Sequence, residues 1–216
     1  MEFLNRILRR PGPLCGQSSA SAAEIRAYFN RAAADEEHYP STIDPRIYHV
    51  KLILEHLGDL SGKHVADIGC GKGRFARILK ESYPSASVAA VDIAEAMLTH
   101  VPQGIHRVAG SITAIPLAAA SCDGAYATES LEHAVDIPAA ISELTRIVKP
   151  GGRIAIIDKN AQAWGRLETP EWERWFERKE LERLLARSCR RVWSQPISYW
   201  EDVEPDGLFL AWLAEK

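Results

Sequence analysis

The central part of the chain alternates two kinds of segment, and this alternation limits the fold more than any other feature. After Lys63, short runs of apolar and β-branched residues are separated by amphipathic segments with helical spacing. Such alternation is typical of parallel strands joined by crossover helices. The sequence therefore predicts an α/β fold. Its predicted core strands are HVADIG, SVAAVDI, IHRVAG, CDGAYAT and RIAIID.

Helices are predicted before and within this pattern. AEIRAYFNRAA and RIYHVKLILEHLG have helical spacing, and the second ends at the helix-stopping Gly58. Between the last two core strands, Asp136 is a predicted N-cap, and Pro138 suits the first turn. Gly151 and Gly152 are expected to end that helix.

The C-terminal part is predicted to contain one more helix and two strands. Thr169 as N-cap and Pro170 at the first helical position predict a helix through ETPEWERWFERKELERLLARS. RRVWSQPISYW and GLFLAWLAE then have the character of β-strands.

The length and lack of repeats favour a single domain for the 216 residues. We divide it into a helical N-terminal cap (1–60), a ligand-binding core (61–160) and a C-terminal helix with a β-hairpin (161–216). The first residues place Phe3, Leu4, Ile7 and Leu8 at helical spacing among arginines. A short helix packed on the domain is the expectation, and contact with a membrane surface stays open.

Composition excludes several classes of partner. The net charge of −3 lacks the basic excess of nucleic-acid-binding proteins, so no nucleic-acid partner is expected. Cys15, Cys70, Cys122 and Cys189 form no CxxC pair, and no secretory signal precedes them, so a cytoplasmic location is predicted. The apolar run LFLAWLA covers about a third of a membrane span, so no transmembrane segment is expected. Oligomeric state is left open.

The stretch HVADIGCGKGRF places three glycines between a predicted strand and a predicted helix. Gly69, Gly71 and Gly73 make a tight turn whose amides and missing side chains admit a ligand against bare backbone. Such a turn also arises simply where a strand and a helix pack closely. The sequence around it decides between these readings.

Two aspartates near the turn indicate the ligand. Asp92 ends the next strand about twenty residues later, where a Rossmann-like fold places a carboxylate on the hydroxyls of an adenosine ribose. A dinucleotide fingerprint has its third glycine where this chain has Arg74, and Asp67 would repel a pyrophosphate. An acid at Asp67 suits a cationic amine, so S-adenosylmethionine, with its ammonium group, fits both aspartates.

From about Tyr28 to Lys159 the chain resembles the class I S-adenosylmethionine-dependent methyltransferases. It looks most like the branch of the ubiquinone and menaquinone biosynthesis (type 11) methyltransferases. VADIGCGKG matches the glycine-rich motif, AVDIAEAML the ribose motif, AGSITAIPLAAASCDGAYATESLEH the adenine loop and fourth strand, and LTRIVKPGGRIAIID the fifth strand with its helix. The resemblance implies a Rossmann-like, seven-stranded, mostly parallel sheet. Its last strand is antiparallel, helices cover both faces, and a helical extension precedes it.

The resemblance also assigns cofactor contacts by position. Asp67 and the turn backbone would meet the methionine portion, Asp92 would hold the ribose, and Ile93 would pack on the adenine. The family commonly has Asp where Ser111 stands, so the adenine amine would here meet a hydroxyl or backbone group. The predicted cofactor-binding residues are Asp67, Gly69, Cys70, Gly71, Gly73, Asp92, Ile93, Ser111, Ile112 and Glu129.

ESLEHAVD carries the candidate catalytic residue. If it is helical, Glu129, Glu132 and His133 share one face beside the methyl group. His133 is the candidate general base, and a neighbouring carboxylate would raise its basicity. Two alternatives stay open: these residues shape only the turn, or they resemble the divalent-metal triad of some class I O-methyltransferases. No further ligand is obvious nearby, so no metal is predicted.

Aromatic residues are the candidates for selecting the acceptor. They indicate a small molecule with an aromatic or quinone-like ring, and O-methylation is favoured over N- or C-methylation. Lys159 and Asn160, after the fifth strand, are further candidates. The aromatic and basic candidates are Tyr28, Tyr39, Arg46, Tyr48 and the segment Trp164 to Phe176.

The sequence thus predicts a methyltransferase that uses S-adenosylmethionine and a small-molecule acceptor. Two alternatives remain at this point. One is a regulatory protein that binds the cofactor without transferring its methyl group. The other is a nicotinamide-dependent oxidoreductase, which Asp67 and Arg74 disfavour.

Overall fold

The computed structural model describes residues 20–216, so the predicted first helix and Cys15 lie outside the described residues. One seven-stranded sheet organises this part of the chain, in the order β3-β2-β1-β4-β5-β7-β6. The strands are His64–Ile68 (β1), Ser87–Asp92 (β2), His106–Ala109 (β3), Cys122–Thr128 (β4), Val148–Lys159 (β5), Arg191–Ile197 (β6) and Phe209–Glu215 (β7).

The strand directions confirm the predicted topology. β1 pairs in parallel with both β2 and β4, β2 with β3, and β4 with β5. β7 lies antiparallel between β5 and β6. The central strands are almost continuously buried, as expected for parallel strands covered on both faces.

Helices cover both faces of the sheet. One apolar cluster joins α2 and α3 to the face that carries Tyr126, and a second joins α5 and α6 to the face that carries Ala125 and Ala127. Within residues 20–216, no helix has the length and apolar character needed to cross a bilayer. The helices are Ala22–Ala32 (α1), Tyr48–Leu57 (α2), Arg74–Ser82 (α3), Glu95–Leu98 (α4), Ile137–Ile147 (α5) and Arg178–Leu185 (α6), with 3-10 turns at Leu131–His133 and Ala161–Ala163.

The predicted start of α5 is confirmed, but its predicted end is wrong. The Asp136 carboxylate accepts a hydrogen bond from the backbone N–H of Ala139 at 3.0 Å. The helix ends at Ile147, and the chain enters β5 directly at Val148. Gly151 and Gly152 lie inside that strand. A Cβ on Gly152 would come within 2.6 Å of the Asp123 carbonyl oxygen, so this glycine allows close strand contact.

The predicted C-terminal helix begins eight residues late, at Arg178, because residues 169–177 take a non-helical path into the core. The Phe176 N–H donates to the Lys159 carbonyl, and the Phe176 carbonyl accepts from Ala161 N–H, both at 3.0 Å. Glu173 and Trp175 are also buried here. These tertiary contacts outweigh the helical propensity of the segment.

Trp212 is the largest side chain buried in the sheet, at 0% exposure, and its indole N–H donates to the Arg178 carbonyl at 2.9 Å. We expect Trp212→Ala to lower the free energy of unfolding by about 3–5 kcal/mol, because it leaves a cavity between β7 and α6. Trp200→Ala, at a tryptophan 42% exposed, is the control and should change it by less than about 0.5 kcal/mol. Urea unfolding measures both, and equal losses would contradict the packing described.

Candidate functional site

A cavity of about 160 Å³ opens where the carboxyl ends of β1, β2 and β4 meet. Ligands bind at this edge in open α/β sheets, because the connecting loops diverge there. The glycine turn forms one wall, and the segments after β2, β3 and β4 form the others. Residues 21–41, named here the cover segment, close the opposite side.

The glycine turn depends on backbone that other residues rarely adopt. Gly69 has a φ of +71°, and a Cβ there would lie 2.4 Å from the Ser130 Cβ. The N–H groups of Gly69 and Cys70 both donate to the Val91 carbonyl, at 2.8 and 3.0 Å. The turn is therefore bound to the end of β2, and its bare backbone faces the cavity.

Asp92 holds the two halves of this wall together. Its carboxylate accepts hydrogen bonds from Gly71 N–H at 2.7 Å and Ala94 N–H at 2.8 Å. Burial raises the pKa of Asp92, while these two backbone donors oppose that effect. Each carboxylate oxygen keeps a further lone pair, so Asp92 can still accept hydrogen bonds from a ligand.

Asp67 is an unsatisfied acid in the cavity wall. The side chain is 2% exposed, and its Oδ2 is buried with no hydrogen-bond partner. Burial raises the pKa of Asp67 to about 7; the nearby Tyr126 hydroxyl, which lies outside hydrogen-bond geometry, opposes the rise, and the Asp92 carboxylate adds to it. A buried acceptor without a partner is costly, so this wall favours a ligand that brings a cation or a donor.

The far end of the cavity is mainly apolar. Ile93, Met97 and Ile112 line it, together with Ser111. The Ser111 hydroxyl is paired locally with the Thr113 hydroxyl at 2.8 Å. This end can hold a flat apolar ring with one polar edge.

The structure brings nearly all the predicted site residues to one cavity. Gly73 is the exception, since it is the N-cap residue of α3 and does not line the cavity. The residues that do line it are Asp67, Gly69, Cys70, Gly71, Asp92, Ile93, Ser111, Ile112, Glu129 and His133.

The predicted helical face of Glu129, Glu132 and His133 is wrong. Only Leu131–His133 form a single 3-10 turn, and Glu129 precedes it with a φ of +49°. Glu129 instead pairs with Arg74 at 3.2 Å, while Glu132 is 2% exposed and lies in the core. The left-handed backbone at Glu129 separates it from the other two residues, so they do not form a triad.

His133 lies in the cavity wall as a neutral side chain. Its ring packs edge-on against Phe29, with centroids 4.9 Å apart. Burial lowers the pKa of His133 to about 3, and the Lys159 ammonium adds to the effect. The expectation that a carboxylate neighbour raises its basicity is therefore wrong. Its Nδ1 is buried and has no hydrogen-bond partner.

Lys159 lies behind this wall instead of lining it. Its ammonium contacts a carboxylate oxygen of Glu132 and one of Glu173, each at 2.7 Å. Ligand atoms of Glu132, His133 and Glu173 lie within 4.8 Å of one another, an arrangement compatible with a metal ion. The ammonium already supplies a cation to both carboxylates. Asn160, the other candidate from β5, bonds to the Gly207 carbonyl at 2.9 Å and is not at the cavity.

The cover segment supplies cavity residues that the sequence did not single out. Ile25 and Phe29 on α1 line the cavity, with His38 and Pro40. The helical spacing of AEIRAYF could have indicated Ile25 and Phe29, but it shows only that α1 has an apolar face and not what that face covers. Hydrogen bonds to the glycine turn and to α4 help to attach the segment. Lys72 in the glycine turn donates to Glu36 at 2.6 Å and to the Asp35 carbonyl at 3.1 Å, and Ala96 N–H donates to Asn30 at 2.9 Å.

Of the predicted acceptor-selecting residues, Tyr39 lines the cavity. Tyr28 supports it from behind, with the two hydroxyl oxygens 3.1 Å apart. Arg46 is exposed and paired with Asp44, and the Tyr48 hydroxyl accepts from Gln195. Neither lines the cavity, and no residue of the segment Trp164 to Phe176 does, so these predictions are wrong.

Comparison with known proteins gives this arrangement a family. Residues 66–156 match the family described as "Methyltransferase domain". The chain is 35% identical over 136 residues to malonyl-[acyl-carrier protein] O-methyltransferase of Dechloromonas aromatica, across 63% of this chain and 50% of that protein. It is 29% identical to 2-phytyl-1,4-naphtoquinone methyltransferase of Thermosynechococcus vestitus, across 70% of this chain and 71% of that protein.

Solved structures share the fold. Geranyl diphosphate C-methyltransferase from Streptomyces coelicolor, solved with Mg²⁺, geranyl diphosphate and S-adenosyl-L-homocysteine, aligns with a TM-score of 0.65. The alignment covers 90% of this chain and 97% of that chain at 15% identity. The chain spans half the length or less of the first two malonyl-[acyl-carrier protein] O-methyltransferases it matches.

The Lys72 side chain is 1% exposed, so we expect its contacts to hold the cover segment in place. We expect Lys72→Met to speed amide hydrogen exchange in α1 by about tenfold, because it removes a charge-assisted hydrogen bond. Lys51→Met, which breaks the exposed Lys51–Glu201 pair, is the control. Mass-spectrometric exchange measures both, and equal exchange in the two variants would contradict the attachment.

The same attachment should depend on pH. The hydrogen bond from Lys72 lowers the pKa of Glu36 from 4.5 to about 2. The contribution is therefore complete above about pH 4.5 and is lost as the pH falls toward 2. The protection factor of the α1 amides, which is the exchange rate of an unfolded peptide divided by theirs at the same pH, should fall over that range in the wild type and much less in Lys72→Met.

Proposed function

Because the chain belongs to the class I S-adenosylmethionine-dependent methyltransferases, we propose that it transfers a methyl group from S-adenosylmethionine to a hydroxyl group of a small molecule. One observation carries the proposal. Two buried carboxylates, Asp67 and Asp92, line one cavity on either side of a bare glycine turn, and Asp67 has an oxygen without a partner. An adenosyl ligand with an ammonium group at its other end satisfies both acids.

The cofactor would lie along the carboxyl ends of β1 and β2. Asp92 accepts hydrogen bonds from the ribose hydroxyls, and Ile93, Met97 and Ile112 enclose the adenine. At the methionine end, Asp67 balances the ammonium, and Arg74, which also lines the cavity, is a candidate cation for the carboxylate. Ser111 takes the place of the family's usual aspartate at the adenine edge.

Methyl transfer from a sulfonium needs alignment more than activation. The acceptor oxygen attacks the methyl carbon, the C–S bond breaks, and the sulfur keeps the electron pair as neutral S-adenosylhomocysteine. Holding the two reactants in line can supply roughly 7–11 kcal/mol of the barrier. The cover segment closes the cavity over the reactants and excludes water from them.

The wall formed by the cover segment favours a ring-bearing acceptor with a hydroxyl group. Phe29 and Tyr39 give aromatic surface, and His133 beside them is a neutral imidazole able to accept a proton. Relatives named O-methyltransferases support oxygen as the acceptor atom. A relative named as a naphthoquinone methyltransferase supports a quinone-type ring in the acceptor. Phenols and hydroquinones are therefore the proposed substrate class.

Calorimetric titration tests the cofactor. S-adenosylmethionine and S-adenosylhomocysteine should bind, and Asp92→Ala should weaken both by about 10- to 150-fold, the worth of hydrogen bonds to a charged group. Asp59→Ala, at an exposed aspartate that caps a surface turn, is the matched control and should bind as the wild type does. Binding of NAD alone would overturn the proposal.

A methyl-transfer assay tests the reaction. Phenols and hydroquinones should yield methyl ethers and S-adenosylhomocysteine in equal amounts. His133→Gln should lower kcat by about 10²–10⁴-fold if the imidazole removes the proton, and least for the most acidic phenols. Cofactor binding with no transfer to any hydroxyl acceptor would instead indicate a protein that only binds the cofactor.

A further inference from the structure

Four charged side chains are buried together behind His133. Glu132 is 2% exposed, Asp158 0%, Lys159 8% and Glu173 5%. We call them the charged cluster. They come from the 3-10 turn after β4, the end of β5 and the segment before α6, and none of them lines the cavity.

Direct contacts bind the cluster into one unit. Lys159 reaches Glu132 and Glu173, each at 2.7 Å. The Asp158 carboxylate accepts from the backbone N–H groups of Glu132 at 3.2 Å and of Lys159 at 2.8 Å. The Trp175 indole N–H donates to Glu173 at 2.8 Å. Every member is thereby fixed relative to the turn that carries His133.

The charges of the cluster do not balance. It contains three carboxyl groups and one ammonium group, and two unpaired carboxylates are costly to bury. Burial raises the pKa of Glu132 well above its ordinary value, and the neighbouring Asp158 carboxylate raises it further. The cluster therefore carries more negative than positive charge, and Glu132 is the member whose ionisation most needs a second cation beside it.

His133 is the cavity-wall side chain that this charge can reach. Its Nε2 lies 3.5 Å from Glu132 Oε1, within ion-pair distance once the imidazole is protonated. On the other side of the ring the cover segment brings uncharged groups, the Phe29 ring and the Tyr39 phenol, and burial raises the pKa of that phenol. The remaining charges around the cavity near His133 are the paired Arg74 and Glu129.

We propose that the charged cluster is a buried counter-charge for His133, and that Glu132 and Lys159 are positioning residues that set when its imidazole holds a proton. The proposal rests on the proposed function. As the acceptor oxygen attacks the methyl carbon, its O–H bond breaks and the proton moves to the imidazole. The imidazolium then offsets part of the excess negative charge of the cluster, and it later releases the proton to water.

Lys159 and the carboxylates act in opposite directions on His133. The ammonium disfavours imidazolium and so keeps the resting imidazole neutral, ready to accept a proton. The carboxylates favour imidazolium once it forms. Removing Lys159 should therefore raise the pKa of His133, and Glu132, freed from its ammonium partner, should account for most of that rise.

The first test measures the charge of His133 directly in the full chain. Proteins with isotope-labelled histidine rings are titrated by NMR, and the His133 signal is assigned by its loss in His133→Gln. Lys159→Met should raise the pKa of His133 by about one pH unit or more. Lys159→Arg should restore nearly the wild-type value. The control is Lys149→Met, in the same strand and paired with Asp123 at 2.8 Å, and it should leave the pKa unchanged.

A double variant measures how much Glu132 contributes to the rise in the pKa of His133. Adding Glu132→Gln to Lys159→Met should reverse at least about half of the rise, because an amide cannot supply the negative charge. No rise in Lys159→Met, or the same rise in the double variant, overturns the proposal. If Lys159→Met does not fold, Glu173→Gln is used. It keeps the ammonium and removes one carboxylate, so kcat should fall while the acceptor KM is unchanged, and an unchanged kcat overturns the proposal.

Kinetics with a phenol separates this proposal from the proposed function. The acid limb of the kcat–pH profile should move to higher pH in Lys159→Met and stay in place in Lys149→Met. If methyl transfer occurs but the acid limb lies at the same pH in Lys159→Met and Lys149→Met, the counter-charge role of the cluster is overturned. Cofactor binding without transfer overturns the proposed function and the catalytic role of His133, while the NMR titration still decides whether the cluster sets its charge.

Discussion

Parallel pairing of β1 between β2 and β4 is the constraint on which the site depends. It brings three carboxyl ends to one edge, and it places the glycine turn after β1 against the end of β2, where Val91 accepts two of its N–H groups. Asp92 then spans the gap to Gly71. If either pairing shifted by one residue, the side chains would change face and the cavity would lose its acids.

The site retains acids that its own fold does not fully satisfy. Asp67 is buried with an oxygen that lacks a partner, and the charged cluster holds more carboxyl groups than cations. Both cost free energy in the protein alone. Each lies where the proposed reaction places positive charge: the cofactor ammonium near Asp67, and the imidazolium of His133 near Glu132. The excess negative charge therefore lies beside both places where the proposed reaction has a cation.

Sequence patterns predicted the strands and the cofactor side of the site well. Short apolar, β-branched runs between segments of helical spacing located β1 to β5, and the turn chemistry of Gly69 and Gly71 depends on neighbours only a few residues away. The acceptor side was predicted less well. Tyr48 and Arg46 have suitable chemistry but point elsewhere, whereas Ile25 and Phe29 looked like ordinary helix packing. Which apolar face covers which cavity is a long-range property that no local pattern contains.

By itself, the sequence determined the α/β class, the glycine turn and the two aspartates near strand ends, because apolar runs, helical spacing and backbone freedom are local. Only the tertiary structure decided the state of His133 and the role of Lys159. A single 3-10 turn replaced the expected helix after Glu129, and segment 169–177 left its helical pattern to bring Glu173 to Lys159. Burial and charge at those positions come from residues far apart in the chain, and burial is what sets the charge of a titratable group.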